Sequence, residues 1–187
     1  MKTFALLLSA LLTGTHPVQA AADEVSIAFD PSQTEIRFTL GDVLHTVHGT
    51  FKLKQGTVRI DRATGKASGE FVVDVASGTT GGSIRDKRMH KEILESARYP
   101  EAVFTPTRVE GQLAADGNST VQVHGTLNIH GAPHEIPLPV SVHTAGRQTT
   151  VDTHFTIPYE LWGMKNPSNF LLKVSDKVEI DIHTVLK

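Results

Sequence analysis

The chain has no cysteine among its 187 residues. That absence removes disulfide frameworks, thiolate metal sites, iron–sulfur clusters, covalent haem attachment and cysteine nucleophiles. Aromatic residues are sparse at 6%, with one tryptophan. An excess of either charge is also missing: 18 Lys and Arg stand against 20 Asp and Glu, a net charge of -2. With no broad basic field to attract phosphates, nucleic acid is not an expected partner. No apolar run approaches the roughly 20 residues of a membrane-crossing helix, so the chain is not expected to span a membrane. What is present is ordinary, 39% hydrophobic and 20% charged residues, the composition of a folded globular chain. At this length one folded domain is expected.

The N-terminus places Lys2 before the apolar run Phe4 to Leu12 and ends the stretch in Val18-Gln19-Ala20-Ala21-Ala22. A basic start, a short apolar segment and small residues at the end make the pattern of a secretory signal peptide. Cleavage is expected after Ala20 or Ala22. The organisation read from this is a signal peptide at 1–20 and a single domain at 21–187. Removing 1–20 takes Lys2 and no acidic residue, leaving 17 basic against 20 acidic residues and a net charge of -3. The expected destination is the periplasm or the outside of the cell.

From Glu24 onward apolar and polar residues alternate with period two, the mark of strands with one buried face. The clearest case sets Val121, Val123, Gly125, Leu127 and Ile129 against a wholly polar opposite face. Ile136 to Val142 and Val178 to Ile182 repeat it. Weaker cases are Val47 to Leu53, Val58 to Ile60, Phe71 to Val75 and Val151 to Ile157. With Val25 to Phe29, Ile36 to Leu40 and Ala102 to Arg108 there are about ten candidates. One-sided strands joined by short turns predict antiparallel pairing, and a long sheet with one apolar face must close or fold over. The predicted fold is all-β, a closed antiparallel barrel of about eight to ten strands. One short helix is expected near residues 84–95, with Ser83 and Asp86 as its capping box. A second irregular stretch is expected at Tyr159 to Ser168.

Motifs for chemistry are thin. There is no Gly-x-Ser-x-Gly elbow, no nucleotide-phosphate loop and no His-Glu-x-x-His helix. The Gly-rich stretch Ser77 to Ser83 reads as a turn into the helix. Ten histidines raise a metal or enzymatic alternative, for which His124, His130 and His134 are the best available cluster. Most of the histidines are expected on wet strand faces.

The apolar face is more informative. A barrel of about eight strands is either filled by its own side chains or holds one small ligand. Gly49, Gly69 and Gly125 fall on that face, where they either free space or mark strand bends. If the interior is open, its lining is Phe38, Val47, Phe51, Phe71, Val123, Leu127, Leu138, Val140, Phe155 and Ile180. Such a wall suits an elongated hydrocarbon. Trp162, in the second irregular stretch, is a further candidate for ligand contact.

Several segments together resemble a known family. They are Phe38 with Val47-His48-Gly49-Thr50-Phe51; Ala67-Ser68-Gly69; Arg85 to His90 leading to Tyr99-Pro100-Glu101-Ala102-Val103-Phe104; and Val123 to Gly131. In this order they are similar to the YceI-like family of exported bacterial proteins, over about residues 24–184. The resemblance implies a lipocalin-like barrel that holds a long polyisoprenoid or isoprenoid quinone for sequestration or transport, with no catalytic residues and no cofactor besides a bound lipid. It leaves monomer and homodimer open. Two segments depart from the family pattern: Asp42-Val43-Leu44-His45-Thr46 replaces its His-x-Gly-Phe-Ser stretch, and Trp162 to Ser168 stands where an Asp-Phe-Gly segment is usual. Both changes are expected to reshape the barrel mouth.

Overall fold

The computed structural model describes residues 24–41, 46–168 and 173–186. The expected signal peptide lies outside them, as does the Asp42 to Thr46 departure except for Thr46 itself. Among the described residues nine strands form: β1 (Glu24–Ala28), β2 (Thr34–Gly41), β3 (Thr46–Asp61), β4 (Ala67–Thr79), β5 (Glu101–Glu110), β6 (Gly117–Ile129), β7 (Ala132–Ala145), β8 (Gln148–Ile157) and β9 (Val178–Leu186). All pairings are antiparallel. β2 through β9 close into an eight-stranded barrel, with β9 returning to β2. β1 is the additional strand: it and β2 lie in succession along β3, and the 3-10 turn Pro31–Gln33 separates them.

Nine strands replace the ten candidates because Val47 to Leu53 and Val58 to Ile60 belong to one strand, β3. A register shift between Leu53 and Gln55 inserts a bulge, and a bulge moves every later side chain to the other face. The inward set passes from Val47, Gly49, Phe51 and Leu53 to Gly56, Val58 and Ile60.

The expected helix is present as α1 (Ser83–Arg88), which runs on into a π-helical turn, Met89–Ile93. Its capping box is not. Gly82 is the N-cap and no side chain caps it. Asp86 turns back instead, accepting from Thr79 Oγ1 (2.8 Å), the Thr80 amide (2.9 Å) and Thr80 Oγ1 (2.5 Å). Three donors in the preceding turn outcompete the cap, and the Thr80 hydroxyl above all holds this carboxyl below the usual aspartate range. Ile84 does not pack on the barrel; it is 85% exposed, whereas Met89 is buried.

Both long connections, residues 80–100 and 158–177, leave the barrel at the same end as the β6–β7 turn. They meet there, Lys165 Nζ lying 3.3 Å from Glu92 Oε2. Met89, Tyr159 and Met164 pack on Phe38, Leu127, Ile157 and Ile180 to close that end. Among the described residues the opposite end carries only short connections between strands.

The Tyr159 hydroxyl donates to the Ser175 carbonyl at 2.6 Å. Burial first, and the nearby Glu160 and Asp176 second, push its pKa from 10.0 up to about 12. The folded state therefore holds this proton more tightly than the unfolded chain. Its contribution is complete below pH 10 and is lost as pH rises toward 12. Tyr159→Phe is expected to cost about 1 kcal/mol at neutral pH and to flatten the loss of stability between pH 10 and 12, as read by urea melts across that range.

The wall is not uniform. β7 pairs with β8 only from Val140 to Ala145. Pro133, Pro137 and Pro139 precede that stretch, and proline has no N–H to give a neighbouring strand. At the fork the Thr153 hydroxyl donates to the Pro139 carbonyl at 2.8 Å.

Candidate functional site

The inward rows enclose a cavity of about 220 Å³. It runs along β6 from Val121 to Ile129, about 26 Å of strand at the usual rise of about 3.3 Å per residue, and past the facing residues Ile136 to Val142 of β7. Leu94 and Ile157 bound it near the helical end; Ile27, Leu113 and Leu186 bound it near the other. The space is long and narrow.

Among the described residues, every one that lines the cavity is apolar apart from Thr153 and Thr184. Both hydroxyls are already engaged: Thr153 donates to the Pro139 carbonyl, and Thr184 shares a hydrogen bond of 2.8 Å with Thr34. The wall therefore offers a guest apolar surface and no free polar group. Aromatic packing stiffens it, Phe38 against Phe51 with centroids 5.0 Å apart and Phe29 edge-on to Phe71 at 5.2 Å.

The structure brings Phe51, Phe71, Val123, Leu127, Leu138, Val140, Phe155 and Ile180 together on this one cavity. It places three other candidates elsewhere. The Phe38 ring, 5% exposed, fills the space over Gly49, where an added Cβ would lie 2.2 Å from its Cζ. Val47 is half-buried near the start of β3, outside the lining. Trp162 stacks on His134, ring centroids 3.9 Å apart and 6° from parallel.

Residues absent from the candidate set line the cavity too. Val109 is instructive. Ala102, Phe104 and Pro106 alternate inward along β5, then a register shift between Pro106 and Arg108 turns Val109 inward as well. A proline inside a strand is the available signal for such a bulge.

The apolar-face glycines create no lumen. Gly125 accommodates Phe104: a Cβ there would lie 2.6 Å from Phe104 Cζ and 2.5 Å from the Thr105 carbonyl oxygen. Gly49 does the same for Phe38, and Gly69 has φ +108. The first two yield their side-chain volume to a neighbouring ring.

The histidines do not assemble as the metal alternative required. His124 Nε2 lies 3.1 Å from Glu110 Oε2, His130 packs on Tyr99 with centroids 4.6 Å apart, and His134 is under Trp162. The φ of +52 at His130 puts it in the turn just past the end of β6, off the strand that carries His124. On the outer surface His154 and His183 pair with Asp181 and Asp152 at 2.7 and 2.6 Å. Among the described residues no three His, Asp or Glu side chains are placed to hold a metal ion.

A closed eight-stranded barrel with an apolar bore narrows the comparison with known proteins. The sequence profile of the YceI-like domain matches residues 28–186. The chain belongs to the YceI-like family. UPF0312 proteins of Pseudomonas savastanoi pv. phaseolicola and Pseudomonas syringae pv. syringae are each 32% identical to it over 146 residues, 75% of this chain and 74% of theirs. Among solved structures, BcnA of Burkholderia cenocepacia superimposes with a TM-score of 0.69 at 22% identity, covering 85% of this chain and 99% of that one. A polyisoprenoid binding domain from Saccharophagus degradans, implicated in plant cell wall breakdown, gives 0.61 at 21% identity, covering 86% and 97%. At these identities the superpositions establish the shared fold. Within this YceI-like barrel, the Trp162 to Ser168 departure falls in the connection that closes the helical end, and its tryptophan lies beside the parted edges of β7 and β8.

Proposed function

We propose that this YceI-like chain is a non-enzymatic, exported lipid carrier that holds a polyisoprenoid or isoprenoid quinone with its hydrocarbon chain threaded through the lumen. One observation carries the reading: a long bore whose only two polar side chains among the described residues already spend their hydroxyls on neighbours. An open apolar cavity is avoided by water, and filling it with hydrocarbon contributes about 0.8 kcal/mol per buried methylene. A few isoprene units are enough for firm retention without any charged contact. The slender bore favours a thin, flexible chain over a bulky ring system. Similarity to a polyisoprenoid binding domain supports the ligand class, and the leader pattern before Ala20 supports export. Organic extraction of the purified protein, followed by mass spectrometry, is expected to recover a stoichiometric isoprenoid lipid. An empty barrel after purification from a lipid-rich host would count against the reading.

A further inference from the structure

We propose that His134 Nε2 is the contact point for the uncharged oxygen at the end of a bound isoprenoid, a hydroxyl or a quinone carbonyl, held where β7 and β8 part. The inference rests on the lumen reading above and adds to it a polar subsite and an orientation of the lipid.

His134 stands on the inward row of β7. It is paired with Leu127 and sits two residues before Ile136, both of which line the lumen. It is therefore the point at which an apolar wall changes to a polar group. Its Nε2 is buried and, among the described residues, has no hydrogen-bond partner. A buried nitrogen left in that state is costly, and native structures normally supply it a partner. The ring cannot readily turn away to find one, because Trp162 covers it face to face at 3.9 Å.

Placement in the wall gives such a partner a way in. The β7 edge beside His134 is not paired to β8, and Pro133, Pro137 and Pro139 keep it so. A head group at this position lies within the gap between strands while its chain extends into the bore toward Val121 and Val142. His130 offers a contrast. Its Nε2 is also buried and unpartnered, but Glu95 Oε1 lies 3.6 Å away and Tyr99 covers the ring. An acid already faces His130, whereas among the described residues none forms an ion pair with His134.

The electrostatics select the head group. Burial lowers the His134 pKa below its ordinary value of 6.5, so the ring is neutral at neutral pH, with one N–H and one lone pair. Among the described residues no charged group pairs with it. A hydroxyl or carbonyl oxygen suits a neutral imidazole; a phosphate, needing cationic partners, does not.

Binding of geranylgeraniol and of the matched hydrocarbon lacking its hydroxyl tests this on the full chain. Wild-type protein is expected to prefer the alcohol by about tenfold, the usual worth of a buried hydrogen bond. His134→Phe, which keeps a ring under Trp162, is expected to abolish that preference while binding the hydrocarbon as before, so retained hydrocarbon binding doubles as the control for folding. His134→Gln is expected to restore part of the preference. Geranylgeranyl phosphate is expected to bind more weakly than the alcohol. A preference that survives His134→Phe, or hydrocarbon binding with no preference in wild-type protein, would overturn the subsite alone. Failure of both probes to bind wild-type protein would remove the lumen reading and the subsite with it.

Discussion

Val140→Trp is expected to leave a folded barrel that no longer takes up isoprenoid lipid. Val140 faces the lumen midway along β7, paired with Val121 on one side and Thr153 on the other. All three line the bore at one level, and the cavity they border amounts to only about 220 Å³. An indole in place of an isopropyl group obstructs that cross-section. Because the new ring enters open space, the change in stability should stay within the roughly 1–3 kcal/mol of overpacking. Bound lipid, measured by extraction and mass spectrometry, should fall at least tenfold, with a cooperative melt preserved. Undiminished lipid in a folded Val140→Trp protein means that the guest does not occupy the bore.

Gly125→Ala is expected to do the opposite, damaging the fold itself. A Cβ at this position comes within 2.5 Å of the Thr105 carbonyl oxygen and 2.6 and 2.8 Å of two Phe104 ring carbons. The ring could rotate; the carbonyl belongs to a paired strand, opposite Thr126, and cannot withdraw without opening the β5–β6 ladder. The expected cost is about 3 kcal/mol, at the upper end of overpacking, read as a fall in the urea midpoint at constant slope. Gly41→Ala is the control. Nothing lies within 4 Å of its added Cβ, and a change of less than about 1 kcal/mol is expected. Equal costs at the two glycines would show that close packing against Phe104 is not the reason for Gly125.

These two results separate what period-two alternation reveals from what it conceals. Side chains on a strand point to opposite faces in turn, so burial on one face is written directly into the residue order. For β6, β7 and β9 the order is uninterrupted, and the inward residues Val123, Leu127, Leu138, Val140 and Ile180 follow from it. A bulge breaks the rule without changing composition. At Leu53 to Gln55 it made one strand read as two, and after Pro106 it hid Val109. Gly49 and Gly125 lie on the inward face as expected, yet whether an inward glycine leaves a space or receives a ring depends on residues far away in sequence, here Phe38 and Phe104.

The polar part of the site was less legible for the same reason. His134 alternates inward by simple counting, and a histidine on an apolar face was the available signal. The metal alternative instead joins it to His124 and His130, which the fold holds apart. Its stack with Trp162 joins β7 to a connection between β8 and β9. Asp86 illustrates a local version: Ser83 and Asp86 have the spacing of a capping box, but two threonines just upstream offer the carboxylate better donors.

Native mass spectrometry of the protein purified from a lipid-producing host tests the central claim most directly. The account predicts a dominant species heavier than the polypeptide by the mass of one isoprenoid lipid, released intact on activation and missing from Val140→Trp. A polypeptide that always flies at its bare mass, or a bound lipid retained equally by Val140→Trp, would contradict it.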